Sequence, residues 1–112
     1  MATRKVEKNQ WQAYFDALSR TIEATLVEIE VAGMALGDQI EGEWVPLLGI
    51  AYDPKDDLIE ILLEGMDHLV RHPQEVHVED GPTGLEHMEI KDAEGNQQIL
   101  RFKAPLALPA AP

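Results

Sequence analysis

The sequence predicts an α+β fold, in which one N-terminal helix packs on a twisted, mainly antiparallel meander sheet of about six strands. One early segment carries apolar residues at helical spacing. Several later segments alternate apolar and polar residues, and short turn sequences separate them. With 112 residues, the chain has the usual length of one domain.

The expected domain boundaries follow from the same patterns. We expect a flexible N-terminus over residues 1–8 and a single α+β domain over residues 9–103. Residues 104–112 contain three prolines, which cannot continue regular structure. They are expected to form an irregular Pro-rich tail.

The predicted helix begins near Asn9, whose side chain can accept from the free amides of the first turn. Trp11, Phe15 and Leu18 follow at spacings of four and three residues, which places them on one face of a helix. Ser19 is the only serine and lies near the end of this segment, without a neighbour that would activate it.

The first predicted strand has one dry and one acidic face. Val27 and Ile29 alternate with Glu28 and Glu30, the pattern of a half-buried strand. The glycine-rich residues 33–42 predict either a loop or a loosely paired extension of a strand.

A central hairpin is predicted on either side of Pro54, because two dense apolar segments flank a turn sequence. Folding the chain about Lys55 would place Gly49 opposite Ile61 and Leu47 opposite Leu63. Both faces of this hairpin are largely apolar, which indicates a central position in the sheet.

The acidic turn of this hairpin raises the hypothesis of a divalent-cation site. Asp53, Asp56 and Asp57 could supply carboxylate oxygens, but they lack the alternating ligands and glycine of an EF-hand loop. Turn chemistry accounts for all three aspartates, so a solvated turn is the preferred interpretation.

The segment after the hairpin carries the candidate catalytic residues. Asp67 is expected to cap a single helical turn that Pro73 ends. A carboxylate beside an imidazole can act as a general base, so Asp67, His68 and His72 are the candidates for acid–base catalysis. The competing interpretation is local: Asp67 caps the turn and His68 packs. Since His72 precedes a proline, His68 and His72 are not expected to share a helix face.

A second hairpin supplies the candidate metal ligands. Two strands joined at residues 81–84 place His77 opposite His87, if the hairpin is symmetric about its turn. With Glu75 or Glu89 they would form a site of two histidines and one carboxylate. A slip of one residue would separate them, and exposed strand histidines without a ligand are the ordinary alternative.

Composition restricts the classes of function. The chain has 21 acidic and 9 basic residues, a net charge of −12, which disfavours nucleic acid and membrane surfaces as partners. It contains no cysteine, so disulfides and thiolate chemistry are excluded. The charged N-terminus does not resemble a secretory signal, and we expect a cytoplasmic protein without a cofactor.

The segments WVPLLGIAYDPKDDLIEILLEGMDHLVRHP, GL-x-x-M-E-I and LALPAAP resemble a family of small bacterial proteins catalogued as domain of unknown function 5335. The resemblance covers nearly the whole chain. It implies a self-contained member of that family, and it implies no activity, cofactor or catalytic residue.

The expected function is a non-catalytic protein-interaction or regulatory module. The partner would be an unknown protein or a second copy, bound through a sheet edge. An acidic face formed by Glu28, Glu30, Glu60 and Glu64 is a second possible contact surface for a basic partner. The alternative is a small metal-dependent or histidine-assisted enzyme that uses the segment from Asp67 to Pro73.

Overall fold

The computed structural model describes residues 2–22, 25–33 and 37–107. This part of the chain is α+β, with one short α-helix and one antiparallel sheet. The sheet has eight strands, where about six were predicted. In chain order the elements are β1 (Ala2–Val6), a 3-10 helix (Lys8–Gln10), α1 (Trp11–Ser19), β2 (Leu26–Gly33), β3 (Gly37–Asp53), β4 (Leu58–Leu63), β5 (Met66–Arg71), β6 (Pro73–Gly81), β7 (Gly84–Asp92) and β8 (Gln97–Leu106).

The first additional strand is β1, which lies within the expected flexible N-terminus. It pairs with β6, and Val6 at its end is 2% exposed. Arg4 Nε donates to Asp80 Oδ2 on β6 at 3.0 Å. Residues 2–6 are therefore part of the sheet, although their polar sequence lacks the alternation that predicts a strand.

The second additional strand is β5, which replaces the predicted helical turn. A tight turn containing Gly65, with φ of 85°, reverses the chain after β4. Asp67 therefore lies in a strand and does not cap a helix. His72 has φ of 53° between β5 and β6, so the chain passes directly from one strand to the next.

The last strand is longer than predicted. β8 continues to Leu106, three positions beyond the expected boundary at Lys103. Leu106 is buried and lies opposite Leu85 on β7. Residues 108–112 of the predicted tail lie outside the described residues.

The strand order is β1-β6-β7-β8-β2-β3-β4-β5. β3 has 17 residues and joins two parts of the sheet, because its first half pairs with β2 and its second half with β4. Trp44, with φ of 50°, lies at the bulge between Gly42 and Val45 in the pairing with β2, and the partner changes between Pro46 and Leu47. We call β1, β6, β7, β8 and β2 the large part of the sheet, and the second half of β3 with β4 and β5 the small part. Both parts and α1 contribute side chains to one buried core.

The central hairpin has a different register from the predicted one. Ile61 lies opposite Ile50 rather than Gly49. The reason is a turn of four residues, where the prediction centred the turn on one. A bulge between Leu47 and Gly49 then restores the predicted pairing of Leu47 with Leu63.

The helix begins at Trp11, later than the expected cap at Asn9, which lies in the 3-10 helix. Helix α1 packs on β3. Ser19 Oγ accepts from Ile50 N–H at 3.0 Å and donates to Ile50 C=O at 2.7 Å. Ser19 thus satisfies the backbone of β3 where β2 no longer pairs with it, and its role is structural.

Candidate functional site

The two strand histidines lie on the polar face of the large part of the sheet, but they are not opposite one another. His77 lies opposite Glu89, and His87 lies opposite Glu79. The register differs by two residues from the predicted one, and an even shift leaves both side chains on the same face. The predicted face is therefore found and the predicted pair is not.

Each of these histidines has its own carboxylate partner. His77 Nε2 lies 3.1 Å from Glu75 Oε1, and this contact holds the pKa of Glu75 below its usual value. His87 Nδ1 lies 2.9 Å from Glu79 Oε2. Among the described residues, no group of three or more histidines, aspartates or glutamates is arranged to hold a metal ion. The proposed ligands His77, His87, Glu75 and Glu89 therefore stay a prediction.

A shallow cavity of about 230 Å³ lies over this face, between β1, β6, β7 and β8. The residues that line it are polar or charged: Thr3, Glu75, His77, Glu89, Lys91 and Gln97. Binding pockets for small molecules are predominantly apolar, so this lining is typical of a solvated surface.

The predicted acidic face is divided between the two parts of the sheet. Glu28 and Glu30 lie on β2, and Glu60 lies on β4. Arg101 of β8 bridges both β2 carboxylates, with Nη1 at 3.3 Å from Glu28 and 2.9 Å from Glu30. This bridge reduces the negative charge of the β2 face.

The three candidate catalytic side chains do not converge. His68 lies opposite buried Ile61, and its Nε2 is buried without a hydrogen-bond partner among the described residues. Asp67 is its neighbour in the strand and therefore projects from the opposite face. His72 is exposed, and its Nδ1 lies 3.4 Å from Asp57 Oδ2. An acid–base pair of Asp67 with His68 is not formed.

Asp57 forms a cluster that the sequence did not reveal. Tyr52 donates its hydroxyl hydrogen to Asp57 Oδ1 at 2.7 Å, and Lys8 Nζ lies 3.6 Å from the same oxygen. The pKa of Tyr52 is raised to about 12, mainly by burial and in addition by the hydrogen bond to the Asp57 carboxylate. The Tyr52 hydrogen bond, with His72 and Lys8, lowers the pKa of Asp57. The cluster connects the β3–β4 turn, the N-terminal segment and the junction of β5 with β6.

β5 is an edge strand, and no strand of the sheet pairs with the side that faces away from β4. Its second half borders a cavity of about 290 Å³, which is also lined by residues of the turn between β7 and β8: Asp92, Ala93 and Glu94. Leu63 and Met66 flank a two-residue turn and are opposite one another, so their backbone groups hydrogen-bond across β4 and β5. Backbone groups alternate between the two sides of a strand. The N–H and C=O groups of Asp67, Leu69 and Arg71 therefore point away from β4; we call these groups the β5 edge.

Exposed apolar side chains are concentrated on two strands. The large apolar residues with substantial exposure in the described part of the chain lie on β3 and β5: Ile40, Trp44, Leu48, Met66 and Leu69. Leu69 is 42% exposed and lies at the middle of the β5 edge. Exposed apolar residues beside an unpaired strand are typical of a surface that binds another chain.

The comparisons with known proteins concern the whole chain. A model described as a family of unknown function (DUF5335) matches residues 2–111. The chain belongs to this family. This DUF5335 chain is also 46% identical over 110 residues to an "Uncharacterized protein" of Aquifex aeolicus (strain VF5), covering 97% of the chain and 99% of the relative. No solved structure matches it.

The resemblance to this family, inferred from sequence motifs, is thus confirmed. The described part of this DUF5335 chain contains no helix with the length and hydrophobicity that crossing a membrane requires.

Proposed function

We propose that the protein is a non-catalytic interaction or regulatory module that binds another protein chain through the β5 edge. The observation that carries the proposal is the open backbone of β5 with Leu69 exposed at its centre. An added strand would gain main-chain hydrogen bonds along this edge, and Leu69 would supply apolar contact area.

Apolar burial gives the expected strength of such a contact. Full burial of a leucine side chain contributes about 1.5–3 kcal/mol, and Leu69 already has part of its surface covered. Pairing of the edge and burial of Leu69 together suit a reversible regulatory contact better than a permanent assembly. Natural edge strands usually carry a charge, a proline or a bulge at the centre. The centre of β5 carries a leucine instead.

The separation of the three candidate catalytic side chains, all of which lie within the described residues, supports a non-catalytic role. Asp67 and His68 project from opposite faces of β5, and His72 contacts Asp57. General acid–base catalysis requires the acting groups within hydrogen-bond reach of one another or of a common substrate atom.

The test uses a photoreactive amino acid at position 69, compared with one at Asp16 on the exposed side of α1. Cells that express either form are irradiated, and adducts heavier than the chain are identified by mass spectrometry. We expect adducts from position 69 and none from position 16. Equal adducts at both positions, or none at either, would contradict the proposal.

A second form checks that the open backbone is responsible. It carries the photoreactive group at Met66 and replaces Leu69 with proline, which removes an N–H that points away from β4. The adduct from position 66 is expected to decrease, while circular dichroism and the melting temperature show that the sheet is retained.

A further inference from the structure

We infer that the chain bound by β5 is a second copy of this chain, paired antiparallel about a twofold axis that passes beside Leu69. This inference rests on the proposed function and specifies its partner. In such an isologous contact, one strand meets itself, and every contact away from the axis occurs twice.

The backbone of β5 suits this pairing. If Leu69 lies opposite its own copy, then Asp67 of one chain lies opposite Arg71 of the other. These are the three residues whose N–H and C=O groups face the open side. The pairing therefore gives every open backbone group of the β5 edge a partner in the second chain.

The charges of β5 select the same register. Asp67 and Arg71 lie two positions on either side of Leu69 and project from its face. Neither forms a salt bridge within the described part of the chain. The twofold pairing brings them together as two symmetric Asp–Arg pairs, which stabilise cross-strand contacts.

Other registers lose these matches. A shift that places Leu69 opposite Arg71 leaves Asp67 opposite Pro73, which has no N–H to donate. A shift in the other direction places Asp67 opposite Leu69. A shift by one residue would place Leu69 opposite His68 or Val70 of the second chain. The backbone groups of these two residues point toward β4, so they could not pair with Leu69.

The apolar contact lies on the axis itself. The two copies of Leu69 would meet there, and Leu62 on β4 projects from the same face of the sheet.

Each chain carries a net charge of −12, so the assays are done at physiological ionic strength, which screens the overall repulsion.

The first test reverses the charges of β5 one at a time. Arg71→Asp creates two Asp–Asp pairs and Asp67→Arg creates two Arg–Arg pairs, and each is expected to lower the dimer association constant about tenfold. An equimolar mixture of the two variants restores both attractive pairs, so a heterodimer is expected. The double variant D67R/R71D is expected to form a homodimer again. Light scattering and native mass spectrometry measure these states.

The second test uses the absence of cysteine from the sequence. Leu69→Cys would place two thiols opposite one another, within the range that a disulfide spans. Met66→Cys is the matched control, because residue 66 is similarly exposed, at 39% against 42%. Its two copies would be about 20 Å apart in the predicted register. We expect a disulfide-linked dimer from Leu69→Cys alone under mild oxidation.

The outcomes separate this inference from the proposed function. A wild-type chain that is monomeric at all concentrations, or a dimer that Met66→Cys links and Leu69→Cys does not, would overturn the inference. Photoadducts from position 69 that contain a different protein, with a monomeric chain, would overturn self-pairing and support the proposed function. No adduct and no dimer would overturn both.

Discussion

The two edge strands of the sheet, β1 and β5, differ in how their open sides are protected. β1 carries the adjacent basic residues Arg4 and Lys5, and Arg4 lies over the Tyr14 ring at 5.6 Å. β5 carries its charges at Asp67 and Arg71, on either side of an exposed Leu69. Basic residues at the centre of an edge oppose the addition of another strand. We therefore interpret β1 as a closed edge and β5 as the edge of the proposed binding contact.

The largest effect on stability is expected from the valines that attach the two edge strands to the core. Val6 on β1 and Val70 on β5 are 2% and 1% exposed. Val6→Ala and Val70→Ala should each lower the free energy of unfolding by about 2 kcal/mol, because each leaves a cavity. Urea unfolding measures both. A much smaller loss of unfolding free energy for Val70→Ala would show that β5 is weakly attached to the core. The unpaired side of β5 would then belong to a fraying strand and not to a binding edge.

The next effect concerns the Asp57 cluster, which fixes the end of β5. Tyr52→Phe removes a hydrogen bond to a carboxylate and should lower the free energy of unfolding by about 1.5 kcal/mol at neutral pH. Phe15, which is also buried, provides a control position on α1, where Phe15→Leu retains the cluster.

The pH dependence of the same cluster has two signs. The folded pKa of Tyr52 is raised to about 12, so its contribution is complete below the unfolded value near 10 and is lost as the pH rises through 12. The folded pKa of Asp57 is lowered, so its contribution is present above its unfolded pKa and is lost as the pH falls through the folded one. Tyr52→Phe should flatten the alkaline limb of the stability profile, and Asp57→Asn the acid limb. Unchanged limbs in both variants would contradict the assigned shifts.

The smallest effect on stability is expected from exchanging an apolar and a basic residue between the two edges, Leu69 of β5 and Lys5 of β1. Leu69→Lys should close β5 and abolish association through it, whereas Lys5→Leu should open β1 and produce larger assemblies. Each should change the free energy of unfolding by less than about 0.5 kcal/mol, because both positions are exposed. Sedimentation velocity measures the assemblies. Association that persists in Leu69→Lys would show that the centre of the strand does not control the edge.

The sequence predicted the elements that bury one face and missed those that do not. β2, β6, β7 and β8 alternate strongly because their inner side chains enter the core. In β5, Val70 alone is less than a tenth exposed, and the sequence of the strand therefore lacks a clear alternation. In β1 the corresponding buried residue is Val6. Whether a segment forms an edge strand depends on the strand that it pairs with, and the periodicity of its own sequence does not contain this information.

The candidate site was predicted at the level of faces and not of contacts. Alternation placed His77 and His87 on one face correctly, but the two-residue turn and the bulge between Glu79 and Asp80 each shifted the register by one residue. The Asp57 cluster was missed because Lys8 and His72 reach Asp57 from distant positions of the chain. In the sequence, the presence of Asp57 was already explained by the β3–β4 turn, and no sequence signal indicated its contacts with Lys8 and His72.

The shared strand β3 also bears on how the chain folds. Because β3 belongs to both parts of the sheet, neither part can detach without breaking the pairing of this strand. We therefore expect a single cooperative transition on denaturation. The hairpins of β3, β4 and β5 close short loops, whereas Arg4 meets Asp80 across 76 positions of sequence. Loop-closure entropy favours the short hairpins as the early steps, with the joining of β1 to β6 among the last.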